Sequence, residues 1–391
     1  MNRKTVLAII LLFGSSCTLS MRHSARKSLT DPLLPFSFLT SVTHVDIAGN
    51  TPRHVIAVDL NHDGLPDLVG ADSGGATTRI RLAVGDGTFV AMPNVNVGGA
   101  NWLVAVADLN GDSHPDLTAI SDVTDGVAVA LGAGDGTFAA STVYPTGSDP
   151  GDIALTDLNG DSRPDIIVLN RDIAATAIPD TVSVLINSGT GTFAAQVPYT
   201  ISNAPVSMQV ADFDGDSITD IVVNAGNTDI DFLKGVGNGT FAAKVTSTSV
   251  IFTGGHMVSL DIDGDGDRDI VTVHSFSDFI GYSLNNGNGT FANHVQIVTS
   301  YADATSLFTG DFNFDGRADL GIVRGVASND QLDFFAGQTT APYFVFDRTY
   351  SLGTDQTTEV SANTDIDGDG FVDVIGVSLN TDDALILYSS Q

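Results

Sequence analysis

A nine-residue pattern, Asp–apolar–Asn/Asp–x–Asp–Gly/Ser–x–x–Asp, recurs seven times along this chain. It begins at Asp59, Asp108, Asp157, Asp212, Asp261, Asp311 and Asp365, at intervals of 49 to 55 residues. A period of this length constrains architecture more than local propensity does, because each repeat becomes one structural unit. A short alternating strand precedes each loop, as at 54–58, and another follows it, as at 68–71. A third comes next, as at 78–84, and then a hairpin signal, Gly-x-Gly-Thr-Phe, at 85–89, 134–138, 189–193, 237–241 and 287–291. A fourth strand leads into the next loop. Four strands in roughly 50 residues is the arithmetic of a propeller blade, whereas a β-solenoid coil is much shorter. The expectation is an all-β, seven-bladed β-propeller of four-stranded blades over residues 36–391.

Only 26 residues follow Asp365, so the last repeat has three strands and lacks its fourth, and residues 36–45 read as the missing one. We expect this N-terminal strand to pair with the strand near 385–388 and close the ring, which removes exposed sheet edges.

Composition agrees with strands and tight turns. Of 47 acidic residues, Glu359 is the single Glu. Asp is a poor helix former, a good turn former and a hard oxygen ligand. The net charge of -31 excludes nucleic acid as a partner by default, because phosphate binding needs a basic surface. The chain from 31 onward is more acidic still, and the repeat loops carry 25 of its Asp residues.

The N-terminus reads as an export signal. Asn2-Arg3-Lys4 precedes an apolar run, Thr5 to Phe13, too short to span a bilayer in the mature protein. Cys17, the single cysteine, directly follows it. Residues 1–17 are expected to be a signal peptide of lipoprotein type with Cys17 as the lipidated residue. The alternative is ordinary cleavage nearby; Gly14 stands where such lipoprotein sites usually carry Leu. Residues 18–35 form a linker. A mature chain without paired cysteines has no disulfide framework. The expected location is the cell envelope, as an outer-membrane or surface lipoprotein, or outside the cell as a secreted monomer.

In each loop, positions 1, 3, 5 and 9 place oxygen side chains around one centre. The candidate ligands are Asp59, Asn61, Asp63 and Asp67; Asp108, Asn110, Asp112 and Asp116; Asp157, Asn159, Asp161 and Asp165; Asp212, Asp214, Asp216 and Asp220; Asp261, Asp263, Asp265 and Asp269; Asp311, Asn313, Asp315 and Asp319; Asp365, Asp367, Asp369 and Asp373. An all-oxygen set rich in carboxylates suits Ca²⁺, while Zn²⁺ favours His or Cys. Up to seven structural Ca²⁺ ions are expected, held most tightly at Asp261 and Asp365, where four Asp combine with two Gly, and least at Asp108 and Asp157. The competing reading is a metal-free Asx turn.

These repeats resemble FG-GAP or VCBS-type repeats, known from the seven-bladed propeller of integrin α subunits and from exported bacterial proteins. The resemblance implies that the Asp loop joins the first and second strands and carries Ca²⁺, and that ligand is met on the opposite face. There the loops between second and third strands vary, the longest being 171–180. Candidate contacts are Trp102, Arg171, His256, His274, Phe276, Tyr301 and Arg324; aromatic and charged groups together suit glycan or an extracellular protein. Each has a plainer reading, Trp102 as packing between blades and the histidines as surface residues. Gly-x-Ser-x-Gly, His-Glu-x-x-His and a Lys-terminated phosphate loop are all absent from the sequence. Three functions stay open: a calcium-stabilised binding or adhesion scaffold, a polysaccharide-acting lyase or hydrolase using the propeller channel, and a structural envelope repeat protein.

Overall fold

The computed structural model describes residues 37–47, 51–85, 87–121, 123–171, 179–225, 229–248, 256–273, 279–299, 304–313, 315–324, 330–353, 357–367, 372–378 and 383–390. The signal peptide, the linker, Cys17, Asp369, His274, Phe276 and Tyr301 lie outside them. The described residues contain strands and turns and no helix; hence no helix is long and apolar enough to cross a membrane.

Seven antiparallel sheets form a ring, a seven-bladed β-propeller. The first strands (Pro52–Val58, Leu103–Ala107, Pro150–Thr156, Pro205–Ala211, Met257–Leu260, Ala304–Gly310 and Thr357–Thr364) touch one another in sequence around the axis, the seventh meeting the first. They are therefore the innermost. Second strands such as Asp67–Asp72, Asp116–Ser121 and Asp165–Asn170 are buried at every residue. A blade is covered on both faces by its neighbours, so these strands read as continuous apolar runs rather than as alternation. The core is accordingly divided into seven clusters, one at each junction; Ile56, Val69 and Ile80 of the first blade, for example, meet Val104 and Leu117 of the second.

Closure follows the expected scheme. Ser37–Asp46 pairs antiparallel with Asp383–Ser390, with Thr43 opposite Ile386 and His44 opposite Leu385. Ile47, 1% exposed, packs where Gly70 of the first blade lacks a side chain; a Cβ there would lie 3.2 Å from it. Arg81 of the first blade donates from Nε to the Asp46 carbonyl at 2.6 Å. The closing strand thus joins the seventh blade to the first as well as completing the seventh.

Two details differ from the sequence expectation. The hairpin Phe is mostly an isolated bridge, as in Gly132 with Phe138 and Asn187 with Phe193, and the fourth strand starts several residues later, for example at Thr142–Pro145. In the first blade the outer strand is broken into Phe89–Ala91 and Val95–Asn96, both pairing with the third strand.

Candidate functional site

The Asp loops all join the first and second strands, so they share one face of the ring. Their curl rests on left-handed backbone at two positions. Position 4 has φ 83° at Gly264 and 62° at His62; position 6 has φ 95° at Gly266 and 65–70° at Ser113, Ser162 and Ser217. A non-glycine residue in that region costs roughly 1–2 kcal/mol, so the loop at Asp261 is formed with less strain than its serine-bearing counterparts.

The four acidic positions have distinct jobs. Position 1 caps the turn: Asp261 accepts the N–H groups of Gly264 and Gly266 at 2.7 and 3.0 Å, and Asp157 accepts those of Gly160 and Ser162. Position 9 is a strut. Asp67 accepts the Leu60 N–H through one oxygen and the Ala83 N–H through the other, both at 2.8 Å. The same double bracket recurs at Asp116, Asp165, Asp220, Asp269 and Asp319. It ties the loop to the end of the third strand. Burial raises the carboxyls of Asp67, Asp269 and Asp319 to about 7 and those of Asp116, Asp165 and Asp220 to about 6, against the pull of those N–H donors and with help from neighbouring acids. The sequence reading placed position 9 on the same footing as positions 1, 3 and 5; its two backbone acceptor bonds give it a structural role in every described loop where both are seen.

The residues fit a hard divalent cation best where position 3 is Asp. Carboxylates of Asp212, Asp214 and Asp220, of Asp261, Asp263 and Asp265, and of Asp365, Asp367 and Asp373 each converge, with ligand oxygens within 4.8 Å of one another. Asp263 is raised from its ordinary value by burial and then by the charge of Asp265. In the Asn-bearing loops the amide partly removes this repulsion: Asn61 Nδ2 donates to Asp63, and Asn110 Nδ2 to Asp112, each at 3.0 Å. Asp59 Oδ1 and Asp214 Oδ1 are buried without a hydrogen-bond partner, a cost that a bound cation would relieve.

The loop at Asp212 has an internal cation that sequence reasoning missed. Lys234 Nζ bridges Asp214 and Asp216, the latter at 2.8 Å. The signal was available: Lys234 precedes the strut's N–H donor Gly235, where other blades place Leu82, Leu131, Ile186 and Leu284. Replacing Lys234→Leu should leave this loop dependent on divalent metal. We expect a lower melting temperature than wild type in chelator and recovery when Ca²⁺ is added; a variant indifferent to Ca²⁺ would show that the loop has no use for a cation.

On the opposite face, the first rungs of the inner strands bring Trp102, Arg171 and His256 to one mouth of the channel. Trp102 stands six residues before its Asp loop, as Arg53 does in the first blade, and the Arg53 guanidinium lies over the indole at 4.7 Å. Arg171 leaves the second strand of the third blade and folds inward over Gly151 of the inner strand, where a Cβ would meet its Nε at 2.2 Å. His54, Asp152 and His256 all stand five residues before their loops. The first two act as inter-blade struts: His54 Nδ1 accepts the Val104 N–H at 3.4 Å, and Asp152 accepts the Met208 N–H at 3.0 Å. Desolvation, then the His256 charge, lowers His54 to about 3; desolvation, then Arg171, lowers His256. Burial raises Asp152 to about 6. His256 is exposed to solvent directly before its inner strand. Arg324 does not join this group in function: its Nε donates to buried Asp333 at 2.5 Å within its own blade.

The FG-GAP-like repeat model matches residues 59–119, 108–168, 170–223, 212–272 and 261–322. The chain belongs to the FG-GAP-like repeat family. Curated proteins offer no match. Among solved structures, this FG-GAP-like propeller is similar to an Agrocybe aegerita lectin that recognises non-reducing terminal N-acetylglucosamine, with 20% identity, 78% of this chain and 81% of that one covered, and a TM-score of 0.55. It is also similar to a Lactobacillus plantarum protein, at 14% identity, coverage of 86% and 94% and a TM-score of 0.55. A Bacillus licheniformis rhamnogalacturonan lyase aligns at 15% identity, with coverage of 89% and 72% and a TM-score of 0.51. At these identities the likeness is one of fold.

Proposed function

We propose that this protein is a calcium-stabilised extracellular binding or adhesion scaffold that recognises glycan or protein on the face opposite its Asp loops. The observation that carries the reading is the division of labour between faces. One face repeats the same acidic turn in every blade, while the other gathers Arg53, Trp102, Arg171 and His256 at a single mouth. Repetition serves the ring; a non-repeating cluster of aromatic and charged groups serves recognition. Ca²⁺ would be held by positions 1, 3 and 5 of the loops, with position 9 in support, and would neutralise carboxylates that otherwise repel. Extracellular calcium saturates modules with dissociation constants of about 10⁻⁴ to 10⁻³ M. Export, with lipidation at Cys17 or free secretion, belongs to the same proposal.

The test is a glycan array read with Ca²⁺ present, using the mature chain. Selective binding that is lost on replacing Trp102 or Arg171, with the melting temperature retained, supports recognition on this face. Turnover of a polysaccharide would instead support a lyase or hydrolase in the channel. Silence on glycan and protein arrays alike would leave the protein as a structural envelope component and overturn the proposal.

A further inference from the structure

The chain has nearly three acidic residues for each basic one, so an arginine without a carboxylate partner is unexpected. Most described cations are paired: Arg79 with Asp72, Arg81 with Asp46, Lys234 with Asp214 and Asp216, Lys244 with Asp231, Arg317 with Asp315, Arg324 with Asp333 and Arg348 with Asp347. Arg163, seated over Gly111 on the Asp-loop face, makes no ion pair among the described residues, and neither do Arg53 and Arg171, both at the channel mouth. Each is nonetheless held in place. Arg53 is stacked on Trp102 and donates from Nε to Ser73 Oγ at 3.3 Å. Arg171 lies in the space that Gly151 leaves vacant, its Nε buried without an acceptor. The Asp152 carboxylate, which feels the Arg171 charge without an ion-pair contact, has its oxygens engaged by the Met208 and Ile153 N–H groups at 3.0 and 2.9 Å. Two ordered guanidinium groups that make no ion pair, with an indole and an imidazole at the same mouth, have the chemistry of an oxyanion receptor: the fork geometry of Arg suits a carboxylate, and stacking or seating reduces the rotamer entropy lost on binding.

We propose that the channel mouth formed by Arg53, Trp102, Gly151, Arg171 and His256 binds the carboxylate of an acidic sugar. This inference rests on the recognition face assigned above and narrows its ligand. The arginines supply the charge, and the indole edge and imidazole supply surface for the ring and its hydroxyls. Gly151 is part of the site because any side chain there displaces the Arg171 guanidinium.

The experiment is calorimetric titration of the calcium-loaded mature chain with galacturonate, galactose and acetate as separate probes. Galacturonate is expected to bind at least tenfold more tightly than either of the others. Arg171→Met and Gly151→Val should each weaken it at least tenfold, while Arg163→Met, on the Asp-loop face, leaves it unchanged. Melting temperatures confirm that each variant is folded, and Gly151→Val keeps Arg171 itself, so loss in both variants identifies the seated guanidinium. Equal binding of galacturonate and galactose, no binding of galacturonate, or equal loss in Arg163→Met would overturn the inference. Acetate binding as tightly as galacturonate would reduce the site to a bare oxyanion receptor and also overturn it. Neutral glycans found on an array would leave the broader recognition reading standing while this one fails.

Discussion

Removing residues 36–47 is expected to abolish cooperative folding of the entire ring. The segment supplies the outer strand of the seventh blade, paired from Ser37 to Asp46 with Asp383–Ser390. It also carries Val45 and Ile47 into the junction with the first blade, alongside Val55, Leu68, Ile375 and Ile386. Burying one such aliphatic side chain contributes about 1.5–3 kcal/mol. Loss of two, of a full antiparallel ladder and of the Arg81 bond to Asp46 approaches the net stability of a domain, about 5–15 kcal/mol. Because the inner strands meet in a closed circle, an opened junction also frees the contacts between the seventh and first blades. A milder variant, Ile47→Ala, should cost about 2–5 kcal/mol without changing the fold. Urea unfolding followed by circular dichroism checks both. A truncated protein with the midpoint of the intact one would show that the seventh blade does not need this strand.

Calcium is expected to produce the second large effect. Three loops gather three converging carboxylates each, and two of these, at Asp261 and Asp365, are the sites where binding is expected to be tightest. A site with a dissociation constant of about 10⁻⁴ M contributes roughly 2 kcal/mol at about 5 mM Ca²⁺, by mass action on the folded state. Two such sites should raise the melting temperature by about 5–10 °C for a chain of this size, and a chelator should reverse the gain. Asp263→Asn with Asp265→Asn should stabilise the metal-free protein slightly, by relieving repulsion, and shrink the calcium response. Differential scanning calorimetry in chelator and in Ca²⁺ gives both numbers. Mg²⁺ at the same concentration should give less, because it demands stricter octahedral geometry. An identical curve in chelator and calcium would leave the loops as Asx turns.

The ring was legible because it is repeated. Seven copies of one pattern specify seven units, and the strand register follows from the fixed place of the position 9 Asp, which opens the second strand in every blade. Closure was legible from the strand missing at one end and present at the other. The chemistry within a loop was less so. Nothing local to Asp67 reveals that both its oxygens are engaged by N–H groups, because one donor, Ala83, lies a strand and a turn away. Lys234 could have been found by aligning the repeats with one another, since it is a charge where its counterparts are apolar. The same alignment pairs Arg53 with Trp102. The seating of Arg171 over Gly151 was not accessible in that way: it arises from a side chain crossing between strands of one blade, and a glycine in a strand does not announce what fills the space beside it.

The proposed metal in the acidic loops is the property from which the stability and the division between faces both follow. A crystal of the mature chain grown in calcium, with anomalous differences collected at long wavelength, reads this directly. The predicted result is a peak at the Asp261 and Asp365 loops, between first and second strands on one face of seven blades, coordinated by oxygens from positions 1, 3 and 5 in the former and from positions 1, 3 and 9 in the latter. Both of those loops without a peak at millimolar calcium would contradict it.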